Sequence, residues 1–141
     1  MKHQKWPKRD PIKNYFPLPN EVFLLGLSPG ELAVYSYLLF CEDRRTYQCW
    51  PSFKTIGKAT GMSINTVRKY VRILEERGLI TTEPTSITTK DGQKRNGNLL
   101  FTIRPIQEAV EQFYQQQLEN ISLDIQRKKA SGTKARQERP A

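Results

Sequence analysis

The chain has 141 residues, of which 37% are hydrophobic, two cysteines, and a formal net charge of +9 with an isoelectric point near 9.7. That size allows one domain with a modest core, while Cys41 and Cys49 lack Cys-x-x-Cys spacing, which argues against a zinc site or a disulfide framework. The first ten residues, "MKHQKWPKRD", carry charges with no apolar run behind them, and no segment approaches the ~20 apolar residues of a membrane span, so a soluble protein of the reduced cytoplasm is expected.

The charge is unevenly placed. Residues 1–20 carry five Lys/Arg against one acid, residues 50–105 carry ten against four, and the last sixteen carry six against one. Residues 21–49 and 106–125 are acidic on balance. A cationic middle block and cationic ends point to a polyanionic partner.

Residues 1–19 hold Pro7, Pro11, Pro17 and Pro19 among five basic side chains, a composition that reads as an extended basic arm. "PNEVFLLG" predicts a short helix with Asn20 as its cap, ending at Gly26. "SPGELAVYSYLLFC" follows, with Ser28 as cap, Pro29 in the first turn and Glu31 completing a capping box, so the first long helix spans 29–41. Its apolar stripe is Leu32, Tyr35, Leu38 and Leu39. "EDRRTYQCW" is a loop leading to a short strand at residues 48–50, and Trp50 and Phe53 are expected in the core.

Ser52 caps a second, shorter helix with Ile56 and Ala59 or Thr60 turned inward. Gly57 within it costs roughly 1 kcal/mol in helix propensity relative to alanine, which is sensible if another helix crosses closely there. Gly61 then supplies a backbone able to take positive φ, Met62 plugs the corner, and Ser63 caps a third helix. In that helix Val67, Val71 and Leu74 form one apolar stripe with Tyr70, while Asn65, Arg68, Lys69 and Arg72 fall on the other side. Helix, tight turn and helix meet the spacing of a helix-turn-helix.

"GLITTEPTSITT" and "LLFTIR" read as two strands of a hairpin, Pro84 disfavouring a central strand position and "KDGQKRNGN" forming a cationic tip. Pro105 opens a last helix to about Gln126, striped by Ile106, Val110, Phe113 or Tyr114, Leu118, Ile121 and Ile125. Residues 127–141 are expected to be a disordered basic tail. The expected domains are therefore the arm at 1–19, a helical unit with a small hairpin at 20–104, the final helix at 105–126 and the tail.

This order of elements resembles the winged helix-turn-helix superfamily of bacterial DNA-binding proteins. "PSFKTIGKATGMSINTVRKYVRILEERGLI" resembles the DNA-binding half of gluconate-repressor-type (GntR-like) regulators, in which a Pro-Ser cap, a Gly-x-Ser turn, Thr-Val and a closing Gly-Leu-Ile recur in that order. "YFPLPNEVFLLGLSPGELAVYSYLL" is more similar to the N-terminal domain of plasmid and mobile-element replication initiators. The resemblance spans residues 15–104. It implies a mainly α fold with a β-hairpin wing (α+β), double-stranded DNA as partner, and a role in transcription regulation or replication initiation. The sequence departs from the repressor pattern at Ile64 and Thr60, and no ligand-sensing domain follows the hairpin.

In such a fold the early residues of the second helix of the motif enter the major groove. Here these are Ser63, Ile64, Asn65, Thr66, Arg68 and Lys69, with Arg72 a turn later and closer to phosphate. Arg68 matches a guanine edge bidentately, Asn65 matches adenine, and Ile64 suits a thymine methyl. Ser52, Lys54, Thr55 and Lys58 would meet the DNA backbone, as would Lys90, Lys94, Arg95 and Asn96 on the hairpin, contacts that orient without specifying. Neutralising about six phosphates gives a salt slope of about −5 in log K.

Catalysis has little in its favour: His3 is the one histidine, no Gly-x-x-x-x-Gly-Lys-Ser/Thr loop occurs, and the adjacent Glu75 and Glu76 diverge on a helix. No cofactor or metal is expected. The stripe on the last helix suggests a homodimer, although its first half could equally pack on its own domain. An adaptor that binds protein and an RNA-binding protein are the alternatives from other classes.

Overall fold

The computed structural model describes residues 14–138, with side-chain surroundings defined as far as Ser131. Most of the expected arm, including His3 and Trp6, lies outside the described residues, as does the end of the chain.

A 3-10 helix, Asn20–Leu24, opens the described part and buries Val22. Pro19, not Asn20, holds its capping position and makes no side-chain bond, since a proline ring offers no acceptor. Helix α1, Pro29–Cys41, has the expected bounds and cap: Glu31 N–H donates to Ser28 Oγ at 3.2 Å, and Ser28 N–H donates to Glu31 Oε2 at 3.1 Å. Its buried residues are Val34, Tyr35, Leu38 and Leu39, so the inward stripe is shifted by Val34, while Leu32 is half-buried at its edge.

Strand β1 is Gln48–Cys49, α2 is Phe53–Thr60 and α3 is Ile64–Glu76. Leu38, Ile56, Val67 and Leu74 from the three helices meet in the core at 0% exposure. Each such side chain contributes roughly 1.5–3 kcal/mol of burial free energy. Val71 joins them, and Tyr70 packs its ring edge where a Cβ on Gly30 would stand, bringing α3 close to the start of α1. Of the two inward candidates at the end of α2, Thr60 is the half-buried one, its hydroxyl donating to Ile56 O at 2.7 Å, while Ala59 is exposed.

Strands β2, Ile80–Glu83, and β5, Leu100–Ile103, complete a three-stranded antiparallel sheet of order β1-β5-β2. Phe101 in the central strand pairs with Cys49 on one side and Thr82 on the other, and its ring is fully buried. The hairpin is not one ladder. Pro84 has no N–H to continue β2, and pairing resumes only at β3, Ser86–Thr88, against β4, Lys94–Asn96. The outer ribbon is therefore a separate two-stranded sheet.

Helix α4 runs Ile106–Glu138, past Gln126, where the sequence pattern ended it, so residues 127–138 of the expected disordered tail are helical. Arg127, Lys128, Lys129 and Ala130 are strong helix formers, and a charged stretch that lacks apolar periodicity can still continue a helix already nucleated upstream. Ile106 and Ala109 are buried and Val110 and Phe113 pack against the core, but beyond Phe113 the described side chains are exposed. Gln112 Nε2 donates to Glu76 O at 2.9 Å, fastening α4 to the end of α3. The architecture is a winged helix-turn-helix with a long C-terminal helix.

Candidate nucleic-acid interface

The two helices of the motif start with the same device. Ser52 Oγ accepts from Thr55 N–H at 3.0 Å, and Ser63 Oγ accepts from Thr66 N–H at 3.2 Å. The paired hydroxyls, Ser52 with Thr55 and Ser63 with Thr66, lie 2.8 Å apart in each case. Four residues assigned to DNA by sequence position thus also hold the helix starts, each cap contributing about 1 kcal/mol. Between the helices Gly61 sits at φ +72°, the left-handed conformation in which an L side chain is strained. Gly57 is also required: α3 does pass close, with Val67 Cγ2 3.6 Å from where a Cβ would stand, but the tighter neighbour is the turn. A Cβ there would lie 2.5 Å from the carbonyl oxygen of Met62, because the turn folds back over α2. The Gly57 carbonyl accepts from the N–H groups of both Gly61 and Met62.

This corner fixes which side of α3 faces out. Ile64, Asn65, Arg68, Lys69 and Arg72 are exposed, while Val67, Val71 and Leu74 are buried on the opposite side. Arg68 is pre-arranged by its neighbours: Nη1 donates to Asn65 Oδ1 at 3.2 Å, and its guanidinium lies 5.7 Å from the Phe53 ring centroid. Lys69 Nζ lies 5.6 Å from the Tyr70 ring. A guanidinium over an aromatic face loses fewer rotamers when it engages a partner. On α2, Lys54, Thr55 and Lys58 are exposed beside this surface.

The outer hairpin divides its polar groups between two faces. Register pairs Ile87 with Arg95, Thr88 with Lys94 and Ser86 with Asn96, and directly opposed residues project from the same face. Arg95 therefore shares a face with Ile87, whereas Lys94 and Asn96 point the other way. Lys90 lies in the turn closed by Thr89 N–H donating to Gln93 O at 2.8 Å.

Three residues take positions that their sequence pattern did not signal. Phe53, expected as core, is half-buried and packs against it, and its ring also serves as the platform for Arg68. Trp50, also expected in the core, is 60% exposed. Cys49 points inward from β1, and the alternation of a strand then turns the next side chain outward. Arg77, at the end of α3, donates to the carbonyl of Leu25, lies 3.6 Å from Glu31 Oε2, and stacks 5.4 Å from the Phe113 ring. It ties α3 to α1, to the segment before α1 and to α4.

Away from this surface, burial pushes the Cys49 thiol up to about 12, with Cys41 and Glu42 adding to the effect, so it stays protonated at neutral pH. A pocket of about 480 Å³ lined by Leu18, Tyr35, Leu39, Glu42 and Ile103 lies beneath the chain segment that precedes the 3-10 helix. Among the described residues no cluster could hold a metal ion, and no helix is long and apolar enough to cross a membrane.

Residues 25–80 match the family model described as a helix-turn-helix domain. Among solved structures the chain is similar to a possible transcriptional regulator from Methanosarcina mazei Go1, at 17% identity over 73% of this chain and 80% of that one, with a TM-score of 0.48. It is similar to a probable transcriptional regulator from Pseudomonas aeruginosa at 26% identity, over 79% and 78% of the two chains, with a TM-score of 0.38. A third is the YusO protein from Bacillus subtilis, at 14% identity over 84% and 81%, with a TM-score of 0.40. No curated protein matches the chain.

Proposed function

We propose that this helix-turn-helix protein binds double-stranded DNA sequence-specifically and acts as a small transcriptional regulator, α3 entering the major groove and the outer hairpin lying along the backbone or the adjacent minor groove. One observation carries the reading. The exposed side of α3 presents Asn65, Arg68, Lys69 and Arg72 together, on a helix whose other side is locked into the core behind the Gly61 corner. Arg68 and Asn65 suit guanine and adenine edges respectively, and Ile64, 45% exposed, suits a thymine methyl. Lys54, Lys58, Lys90, Lys94 and Arg95 supply phosphate contacts that set register.

Selection of binding sites from random duplex DNA tests this. A defined motif is expected; retention of all sequences alike, or of none, overturns the reading. Arg68→Ala should cost about 1–3 kcal/mol and relax preference at one base pair, whereas Lys94→Ala should weaken all sequences together and reduce the salt slope by about one.

Dimerisation through α4 is part of the same proposal. Tyr114, Leu118, Ile121 and Ile125 recur at steps of four, three and four and are 50–64% exposed, where α4 has left its own domain. A helix of this kind is marginal alone in water and is stabilised by burying such a stripe. A second copy would extend the DNA site to two half-sites about 34 Å apart. Sedimentation of the full chain should give a dimer, and Leu118→Glu with Ile121→Glu a monomer; equal masses for the two would refute α4 as the dimer contact.

A further inference from the structure

Between α2 and the outer hairpin stands Trp50, a large apolar side chain that none of the contacts proposed above uses. Tryptophan at 60% exposure is unusual unless its surface has a partner. It is also held in place. Cys49 before it is fixed in β1 opposite Phe101, Pro51 and the Ser52 cap follow it, and its carbonyl accepts from Asn98 Nδ2 at 3.2 Å. Trp50 borders a groove of about 400 Å³ shared with Thr85, Ile87, Gly97, Asn98 and Leu100. Ile87 is itself 58% exposed and shares its face of the ribbon with Arg95. Trp50 and Ile87 thus form an apolar patch on the face that carries Arg95, and three residues further along the chain Phe53 carries the Arg68 guanidinium.

A nucleic-acid strand has the complementary pattern, anionic phosphates alternating with the apolar edges of deoxyribose. We propose that Trp50 is a DNA-contact residue, its indole packing with Ile87 against the deoxyribose of the strand that passes from beneath α3 to beneath the hairpin. The inference rests on the DNA-binding reading and adds to it an uncharged, sequence-neutral contact. The indole N–H is free to donate to a phosphate oxygen of the same strand.

Trp6→Phe leaves Trp50 as the only tryptophan of the full chain. This variant is titrated with a fluorescein-labelled duplex recovered by the selection, following label anisotropy and tryptophan emission together. On saturation Trp50 emission should shift to shorter wavelength and its quenching by acrylamide should fall several-fold. Trp50→Ala, in the otherwise unaltered chain, should weaken binding about tenfold with the salt slope unchanged, because no charge is lost. Trp50→Phe should restore most of the affinity. Binding by anisotropy with no change in acrylamide quenching, and Trp50→Ala within about twofold of the unaltered protein, overturns the proposal. Absence of any anisotropy change at low salt overturns the DNA-binding reading instead.

Discussion

Gly57→Ala sets two effects of opposite sign against each other within one helix. Alanine in place of glycine in a helix interior favours the folded state by roughly 1 kcal/mol through backbone entropy. Here, however, the added Cβ lies 2.5 Å from Met62 O and 3.6 Å from Val67 Cγ2. Relief to an ordinary contact of about 3.4 Å requires the turn to move by nearly 1 Å, a backbone shift and not a rotamer change. That displacement stretches the Met62 N–H to Gly57 O bond, now 2.9 Å, beyond useful length. Losing it costs about 1 kcal/mol, and overpacking a well-filled site costs about 1–3 kcal/mol more. The net expectation is destabilisation by about 1–3 kcal/mol, or a fall in Tm of some 5–15 °C in thermal melting followed by circular dichroism. Lys58→Ala, on the exposed side of the same helix, serves as the comparison and should change Tm by less than about 2 °C. If Gly57→Ala melts higher than the unaltered protein, propensity has won and the argument from the turn carbonyl is wrong.

Arg77→Ala should destabilise by about 2 kcal/mol in urea unfolding, since it leaves the buried carbonyl of Leu25 without its donor and Glu31 without its cation. Arg77→Lys should recover only part of this, because an ammonium lacks the planar fork that bridges carbonyl, carboxylate and ring together. Glu42 Oε2 is buried without a hydrogen-bond partner among the described residues, and burial raises its carboxyl above the ordinary range despite the pull of Arg44. A folded-state pKa above the unfolded one means that stability falls as pH rises from the unfolded value through the folded value. Glu42→Gln should therefore raise Tm at neutral pH, with the gain disappearing in acid; an equal gain at every pH would refute the electrostatic cause.

The parts of the fold legible in the sequence are those set by neighbours a few residues apart. Helix α1 follows from Ser28, Pro29 and Glu31, which satisfy its first amides locally, and the α2–turn–α3 unit follows from Ser52, Gly61 and Ser63 in the same way. The outward side of α3 was readable because its apolar residues recur at helical spacing, so the cationic residues between them had only one direction left. Tertiary structure alone decided the rest. The return of the Met62 carbonyl over α2, with Val67 of α3 behind it, explains Gly57. The exposure of Trp50 depends on a two-residue strand paired to Phe101 and on an Asn98 bond spanning 48 residues. Arg77 gains its role from Leu25, Glu31 and Phe113, and Arg95 comes to share a face with Ile87 through cross-strand register. Capping and periodicity are short-range and leave their mark on adjacent letters, whereas most of these contacts join segments far apart in the chain, beyond the reach of a local pattern.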